Sequence, residues 1–299
     1  MPDEACPTSP DHGQNGQSAL PDGLVLVSTP IGNLGDLTPR ARDMLLAADL
    51  ILCEDTRHTA RLLATIGAKA KLQPLHEHNE DATIPSVLAQ LRQGRRIALV
   101  SDAGVPLVSD PGYRLVRAAL TEGVAVGAMP GANAAVTALV LSGLPPLPFL
   151  VLGFPPPRSA ARRAAFGRLR AAERAGLAAT LIWYEAPHRL AETLADMAEA
   201  FGVRAAAVAR ELTKRFEEVR RRTLPELAAY YAANIARGEV TIVVGPPEQE
   251  DPEDLDGRLR AALAGNSVKD AAALVATATG LPRKLVYARA LALSGVPKV

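Results

Sequence analysis

The sequence predicts an α/β fold built from two successive α/β domains and a small helical module at the C-terminal end. Short apolar runs alternate with helical patterns through both halves of the chain, which is typical of α/β domains. A helical pattern over residues 130–142 and a proline-rich run over 144–148 separate the halves, and an acidic stretch follows residue 247. We therefore expect domains at residues 23–131 and 132–247 and a module at 248–299, after a tail of residues 1–22.

The first half contains five runs that we predict as strands of a mostly parallel sheet, at residues 24–28, 50–53, 71–74, 97–101 and 124–128. Helices are predicted between them, among others at 38–48 and 113–122. Thr38 can cap the first of these helices, and Pro39 suits its first turn because no backbone N–H is needed there.

The second half repeats the alternation, with strands expected at 150–154, 179–184, 204–210 and 240–244 and helices at 187–201 and 225–235. An acidic linker is expected over 248–256, followed by helices at 255–263, 268–279 and 283–293. Ser267 can cap the second of these and Gly280 can end it, which is compatible with a helix-turn-helix. The alternative is a helical bundle that only packs against the body.

The composition is that of a soluble, cytoplasmic protein. A chain of 299 residues with 48% hydrophobic residues can build two cores. Its two cysteines, Cys6 and Cys53, cannot form a disulfide framework, because one lies in the tail and the other ends a strand. The polar tail lacks a signal-peptide pattern and is expected to be disordered. No apolar stretch reaches the roughly 20 residues that span a membrane.

The net charge of +1 does not by itself indicate a nucleic-acid partner, but the basic residues are clustered. Guanidinium groups suit phosphates, and the alternative is a solvated helix face. One cluster contains Arg158, Arg162, Arg163, Arg168, Arg170 and Arg174, and the other contains Lys214, Arg215, Arg220, Arg221 and Arg222.

Two glycine-rich loops at strand ends predict a ligand site. Residues 29–36 and 101–112 both follow buried-strand patterns, and open α/β sheets place ligands at the carboxyl ends of their strands. Neither loop has the GxGxxG or GK[ST] pattern of nucleotide sites. Asp102 and Asp110 suit a cationic or hydroxyl-rich ligand better than a polyphosphate. Ordinary turns are the alternative for either loop alone.

Six motifs connect the chain to a known family. They are STPIGNLGD (28–36), CEDTRHT (53–59), LHEHNE (75–80), SDAGVPLVSDPG (101–112), YEAPHR (184–189) and RELTK (210–214). In this order they resemble the bacterial small-subunit rRNA cytidine 2′-O-methyltransferases of the tetrapyrrole methylase superfamily. The resemblance extends from about residue 24 to the C-terminal end. Val105 and Asn133 stand where that family usually has other residues.

The resemblance implies two α/β domains of the tetrapyrrole methylase type, with S-adenosyl-L-methionine in the cleft between them. It also implies a cytidine of 16S rRNA in the small ribosomal subunit as substrate, a decoding-centre position, an RNA-binding helical tail and a homodimer. The cofactor-binding residues that it implies are Pro30, Ser101, Asp102, Ala103, Gly104, Val105, Pro106, Asn133, Ala134, Tyr184, Glu211 and Leu212.

Methyl transfer to a hydroxyl needs alignment and a proton acceptor rather than a metal. We expect no metal, because His76 and His78 lack an obvious third ligand. Helix capping and structural ion pairs are the alternatives for the catalytic candidates. These candidates are Glu54, Asp55, Arg57, His76, Glu185 and Arg189. A tetrapyrrole C-methyltransferase and a non-catalytic RNA-binding assembly factor remain as alternative functions.

Overall fold

The structure is a computed structural model that describes residues 20–247 and 252–294. Contacts between Cα atoms divide the described chain into two compact units, the first ending at Asn133 and the second beginning at Ala134. Cys6 and most of the predicted disordered tail lie outside the described residues.

The first unit contains a five-stranded parallel sheet in the order β3-β2-β4-β1-β5. Its apolar residues alternate between two cores: Val25 and Val27 pack with the first two helices, and Leu24 packs on the other face. The predicted parallel sheet is therefore confirmed. The strands are β1 (Leu24–Val27), β2 (Leu50–Cys53), β3 (Lys71–Pro74), β4 (Ile97–Val100) and β5 (Val126–Met129), and the helices are α1 (Pro39–Ala47), α2 (Thr56–Ile66), α3 (Glu80–Arg92) and α4 (Tyr113–Thr121).

The second unit contains a mixed sheet in the order β6-β7-β10-β8-β9. Its strands are β6 (Phe149–Val151), β7 (Thr180–Glu185), β8 (Ala205–Arg210), β9 (Glu218–Thr223) and β10 (Val240–Val244), and its helices are α5 (Ala134–Ser142), α6 (Ser159–Arg174), α7 (Leu190–Phe201) and α8 (Leu224–Ala233). Only β6 and β7 pair in parallel, and the other three pairings are antiparallel.

The predicted alternation of strands and helices is confirmed at the four predicted strands, but one strand was missed. β9, interpreted from the sequence only as part of a basic cluster, follows β8 without a helix between them. β9 is an edge strand that pairs only with β8 among the described residues, and its three successive arginines hide the usual strand pattern.

Three helices form the C-terminal module: α9 (Pro252–Leu263), α10 (Val268–Thr279) and α11 (Arg283–Leu293). They enclose their own small core around Leu259, Ala272 and Val286. The Ser267 hydroxyl accepts a hydrogen bond from the backbone N–H of Asp270 at 3.2 Å, which confirms the predicted cap. The acidic linker was expected to extend to residue 256, but α9 begins at Pro252. None of the helices in the described ranges has the length and apolarity needed to cross a membrane.

Candidate functional site

The two glycine-rich loops of the first unit meet, as predicted. The backbone N–H of Thr29 donates to the carbonyl of Gly104 at 2.9 Å, and the N–H of Gly104 donates to the carbonyl of Thr29 at 3.1 Å. The Thr29 hydroxyl donates to the Ser101 carbonyl at 3.1 Å, and the Ser101 hydroxyl donates to the Gly104 carbonyl at 2.9 Å. These four bonds fix the start of the 101–112 loop against the end of β1.

Two glycines allow this close approach of backbones. Gly104 has a φ of +86°, and a Cβ atom there would lie 3.3 Å from Ile31 Cγ2 and 3.4 Å from the Ala132 carbonyl oxygen. A Cβ atom on Gly131 would lie 2.8 Å from Ser28 Cβ. Larger residues at either position must displace their neighbours.

The remaining cofactor candidates of the first unit lie around this loop. Pro30, Ser101, Gly104 and Pro106 are buried, Asp102 and Val105 are partly buried, and Ala103 is exposed. Asn133 ends the unit, and Ala134 is the first residue of α5 in the second.

Three carboxylates concentrate negative charge near the loop. The Asp102 carboxylate accepts a hydrogen bond from the backbone N–H of Asp55 at 3.2 Å. Burial, together with the charges of Glu54 and Asp102, raises the pKa of Asp110 to about 6. The negative charges of Glu54 and Asp102 near Asp110 favour a positively charged or hydrogen-bond-donating ligand.

Of the catalytic candidates at the start of α2, Asp55 and Arg57 are bound to each other. Asp55 accepts from the backbone N–H of Arg57 at 2.8 Å as the N-cap of α2, and from Arg57 Nη2 at 2.8 Å. The hydrogen bonds from Arg57 lower the pKa of Asp55. Asp55 is therefore placed as a helix cap, which was the alternative to a catalytic role. Glu54 is exposed and is not the N-cap of α2.

The His76 side chain is also exposed, in the segment between β3 and α3. Its backbone N–H donates to Asn79 Oδ1 at 2.7 Å, which fixes the turn of the LHEHNE motif and leaves the imidazole outside the turn.

In the second unit, Glu185 is a buried carboxylate at the end of β7, and both of its oxygen atoms accept hydrogen bonds. Its Oε1 atom accepts from the backbone N–H of Ala186 at 2.7 Å and from Arg189 Nε at 2.7 Å, and a second Arg189 nitrogen also donates to it. Its Oε2 atom accepts from the Thr193 hydroxyl at 2.5 Å. Arg189 also donates to the Pro155 carbonyl at 3.3 Å, so the pair ties the YEAPHR turn to the segment after β6.

The RELTK segment has an unusual backbone. Glu211 and Thr213 have φ angles of +50° and +65°, and neither is glycine. Glu211 Oε1 accepts from the Lys214 ammonium at 2.9 Å and from the backbone N–H of Glu239 at 3.0 Å, while Leu212 is buried. The Thr213 hydroxyl oxygen is buried and has no hydrogen-bond partner within the described ranges.

Tyr184, the remaining candidate of this unit, stacks at a tilt against Phe154 with 5.7 Å between ring centroids. Tyr184 lies near the end of β7, and Phe154, which is 58% exposed, lies three residues after the end of the neighbouring strand β6. The pair therefore gives this sheet edge an aromatic surface.

The first basic cluster does not lie on one solvated face. Arg162 is 1% exposed and donates from Nε to Asp196 at 2.7 Å, Arg163 donates to the same carboxylate at 2.8 Å, and Arg170 pairs with Glu173 at 3.2 Å. The hypothesis that Arg162 grips phosphate is wrong, because its charge is buried and neutralised. Arg158, Arg168 and Arg174 are exposed.

Most side chains of the second basic cluster likewise contact other groups of the protein. Lys214 pairs with Glu211 and Glu239, and Arg220 pairs with Glu218 while its guanidinium lies 3.8 Å from the Tyr230 ring centroid. Arg221 donates to the Leu141 carbonyl at 2.9 Å. Arg215 and Arg222 are exposed.

No group of three or more potential metal-ligating side chains occurs in residues 20–247 and 252–294. Thr213 was not predicted as a site residue, although it lies inside the RELTK motif, because neither its strained backbone nor its unpaired hydroxyl has a sequence signal. Asp110 was predicted only to suit a cationic or hydroxyl-rich ligand, and it was not among the catalytic or cofactor-binding candidates.

Comparisons with known families agree with this architecture. The family model described as "Tetrapyrrole (Corrin/Porphyrin) Methylases" matches residues 23–228, and the model described as "RsmI C-terminal HTH domain" matches residues 249–294. Together they cover the first sheet, the second sheet except β10, and the C-terminal module.

Several relatives carry the name ribosomal RNA small subunit methyltransferase I. The one from Micromonospora olivasterospora is 47% identical over 270 residues, covering 88% of this chain and 85% of the relative. The one from Mesorhizobium japonicum is 44% identical over 287 residues, covering 93% and 96%. The one from Escherichia coli O157:H7 is 43% identical over 278 residues, covering 91% and 96%.

Solved structures show the same fold at low identity. A diphthine synthase has a TM-score of 0.57 at 13% identity and covers 74% of this chain and 89% of its own. A uroporphyrin-III C-methyltransferase from Thermus thermophilus, complexed with S-adenosylhomocysteine, has a TM-score of 0.52 at 19% identity and covers 75% and 97%.

The residues present fit the cofactor of this family. A Cβ atom at position 104 would fill the space beside Ile31 and Ala132 where the cofactor loop packs closely, and the Asp102 carboxylate in the same loop suits a sulfonium cation. S-adenosyl-L-methionine is the cofactor of this chain. The protein adopts the tetrapyrrole methylase fold with a C-terminal helical module, and it belongs to the ribosomal RNA small subunit methyltransferase I family.

Proposed function

We propose that this protein transfers a methyl group from S-adenosyl-L-methionine to the 2′-hydroxyl of a cytidine in 16S rRNA, at the decoding centre of the small ribosomal subunit. The observation that carries the proposal is the union of a methylase region with a helix-turn-helix module in one chain, over residues 23–228 and 249–294. A tetrapyrrole substrate needs no such module. Relatives named for small-subunit rRNA methylation cover nearly the whole chain.

The proposal divides the chain as the sequence predicts, into methylase domains at 23–131 and 132–247 and an RNA-binding module at 248–299. The cofactor would be held in the first domain by Pro30 and the Ser101–Pro106 segment, with Asp102 and Gly104 central. It would be held in the second by Tyr184, Glu211, Leu212 and Thr213, and at the junction by Asn133 and Ala134. Bound S-adenosyl-L-methionine supplies an electrophilic methyl group on a positively charged sulfur.

The chain's own residues orient the ribose, exclude water and take up the proton that the 2′-hydroxyl loses. Glu54 and His76 are the proposed proton acceptors, because both side chains are exposed and free of the capping bonds that occupy Asp55. We propose that Asp55 and Arg57 fix the start of α2, and that Glu185 and Arg189 fix the end of β7 as positioning residues.

The decisive experiment offers tritiated S-adenosyl-L-methionine with three acceptors side by side: assembled small subunits, free 16S rRNA and a tetrapyrrole precursor. The proposal expects label in the RNA, most strongly in the assembled particle. Label in the tetrapyrrole would support the alternative enzyme. Absence of both cofactor binding and methyl transfer would support a non-catalytic assembly factor.

The cofactor loop is tested by Gly104→Val. The added side chain should abolish S-adenosyl-L-methionine binding in calorimetry while the protein still folds, because it fills the approach between Ile31 and Ala132. Gly67→Val is the matched control, since Gly67 also has a positive φ of +75° but faces open space. Unchanged affinity in folded Gly104→Val would place the ligand elsewhere.

The proton acceptors are tested by Glu54→Gln and His76→Ala. Loss of a transition-state interaction should lower kcat while cofactor binding survives. Asp55→Asn is the comparison: a capping residue should lower the melting temperature and leave the turnover of the folded protein near that of the wild type.

The C-terminal module is tested by deleting residues from Glu253 onward. The deletion should raise the KM for small subunits and leave cofactor affinity unchanged. A module that only packs against the body would instead lower the melting temperature and leave the salt dependence of RNA binding as it was.

We also propose a homodimer in the cytoplasm, as the family resemblance implies. Sedimentation that shows only monomer at micromolar concentration would rule out the dimer.

A further inference from the structure

An open cavity of about 480 Å³ lies in the first unit, between the LHEHNE segment and the second half of the 101–112 loop. Its volume is in the range of small-ligand sites. His78, Glu80, Asp110, Pro111, Tyr113 and Arg114 line it. None of the proposed cofactor-binding residues is among them.

The walls of this cavity are held by a buried carboxylate. Glu80 is 3% exposed, and its Oε1 atom accepts from the backbone N–H of Leu115 at 2.9 Å while Oε2 accepts from Arg114 Nε at 3.3 Å. Arg114 also donates to Asp81 at 3.0 Å and to the Glu77 carbonyl. The Arg114 guanidinium, the one guanidinium in the lining, therefore already donates hydrogen bonds to residues of the cavity wall.

The charge of the lining favours a ligand that donates hydrogen bonds. Carboxylates outnumber the guanidinium, so an approaching phosphate would meet net negative charge. The Asp110 carboxylate is partly buried, and no group within residues 20–247 and 252–294 donates a hydrogen bond to it. It can therefore accept from a ligand.

An aromatic ring lies at the same opening. Tyr113 begins α4 and is 61% exposed, with the Arg117 guanidinium 5.8 Å from its ring centroid. An exposed tyrosine ring beside the Asp110 carboxylate suits a flat ligand that stacks on the ring and donates a hydrogen bond to the carboxylate.

The backbone between the two aspartates of the loop is strained in a way that fixes Asp110. Leu107 and Ser109 have φ angles of +71° and +70°, and a Cβ atom on Gly112 would lie 2.5 Å from Leu99 Cδ2. Such strain persists where the surrounding structure holds a functional geometry. Asp110 also interacts electrostatically with Asp102, so the cavity adjoins the proposed cofactor loop.

We propose that this cavity takes the base of the target nucleotide, a cytosine turned out of its stack onto Tyr113, with the Asp110 carboxylate accepting a hydrogen bond from its exocyclic amino group. The inference rests on the proposed function and adds the residue that selects the base. Uracil presents a carbonyl oxygen where cytosine presents the amino group, so Asp110 would repel it. Bases that are chemically modified in folded RNA are read by stacking and edge contacts of this kind.

The test uses small subunits reconstituted with cytidine or uridine at the position that the wild-type protein methylates. The ratio of kcat/KM for cytidine to that for uridine is measured for the full-length wild type and for Asp110→Asn. The amide can donate to the uracil oxygen, so the ratio should fall by roughly 5- to 150-fold. Asp43→Asn removes an exposed carboxylate from α1 of the same unit and should keep the wild-type ratio.

A second variant keeps the test independent of the folding of Asp110→Asn. Tyr113→Ala should raise the KM for the cytidine subunit by roughly 5- to 150-fold because the stacking surface is removed, while Leu120→Ala, which truncates an exposed side chain on the same helix, should not.

Three results would overturn the inference. The first is an unchanged cytidine-to-uridine ratio in folded Asp110→Asn, and the second is a wild-type KM in Tyr113→Ala. The third is a tenfold loss of S-adenosyl-L-methionine affinity in Asp110→Asn, which would assign the cavity to the cofactor. If the wild type methylates neither subunit, the proposed function fails and this inference fails with it, which is distinguishable from a failure confined to the variants.

Discussion

Replacing Glu185 by glutamine removes one negative charge from the interior of the second unit. The variant distinguishes a structural role of this carboxylate, in supporting β7, from a role in catalysis. Glu185 is 2% exposed and accepts four hydrogen bonds, two of them from the Arg189 guanidinium. The side-chain oxygen of glutamine can accept some of these hydrogen bonds, but its NH2 group, which is itself a donor, must then face N–H or O–H donors. The variant therefore leaves Arg189 with its charge uncompensated.

The expected loss of stability follows from these contacts. Breaking a buried ion pair typically costs about 3–5 kcal/mol, and the 19% exposure of the Arg189 side chain lets water recover part of that. We expect about 3 kcal/mol, which corresponds to a fall of roughly 6–12 °C in Tm for a unit of this size.

The assay is unfolding followed by tryptophan fluorescence. Trp183 is the single tryptophan of the chain, and it is buried in the core of the second unit beside Phe166 and Phe201, so its emission reports that unit. Glu192→Gln is the matched control, because its side chain is 78% exposed and lies 3.7 Å from Arg162. That control should change stability by at most about 0.5 kcal/mol.

The result that would refute this reasoning is specific. If Glu185→Gln unfolds at the wild-type midpoint and yet no longer transfers methyl groups, the carboxylate takes part in the chemistry rather than in the support of β7.

Three further predictions follow from the same contacts. Burial and the charges of Glu54 and Asp102 raise the folded-state pKa of Asp110 to about 6, so ionisation of this carboxyl opposes folding as the pH rises from about 4 through 6. Asp110→Asn should therefore raise Tm at pH 8 and have little effect on Tm near pH 4. Equal shifts of Tm at the two pH values would contradict this. Arg204 donates to both oxygens of buried Glu173, at 2.6 and 3.1 Å, so Arg204→Ala should lower the free energy of unfolding by about 3–5 kcal/mol in urea titrations followed by Trp183, whereas a decrease below about 1 kcal/mol would show that the pair is dispensable. Replacing the exposed Arg158, Arg168 and Arg174 by alanine should make the slope of log affinity for rRNA against log salt concentration shallower by roughly 0.7–0.9 for each phosphate that is no longer neutralised. Arg162→Ala should lower the stability of the protein without changing this slope. The reverse pattern would show that Arg162 binds RNA.

The sequence predicted those elements whose determinants are local. Strands β1, β2 and β4 are continuous apolar runs because both faces of a parallel sheet are buried, and the caps at Thr38 and Ser267 depend on residues three positions away. The meeting of the two glycine-rich loops was predictable because parallel strands end at the same edge of a sheet.

Features set by distant partners were not predictable. The burial of Arg162 depends on Asp196, 34 residues away, and the antiparallel pairing of β10 with both β7 and β8 depends on how the chain returns to the sheet. α3 was not predicted by its bounds, and it contains an internal proline, Pro85. In the site, the strain at Thr213 and the unpaired carboxylate of Asp110 arise from tertiary packing and have no local pattern.

The chemical position of the transferred methyl group tests the proposed function most directly. Small subunits methylated by the protein with tritiated S-adenosyl-L-methionine are digested with alkali, and the labelled product is identified by mass spectrometry. A 2′-O-methyl group blocks cleavage of the adjacent phosphodiester, so we expect the label in one alkali-resistant dinucleotide that begins with 2′-O-methylcytidine. Label released in mononucleotides, on a base or on a residue other than cytidine, would contradict the proposal.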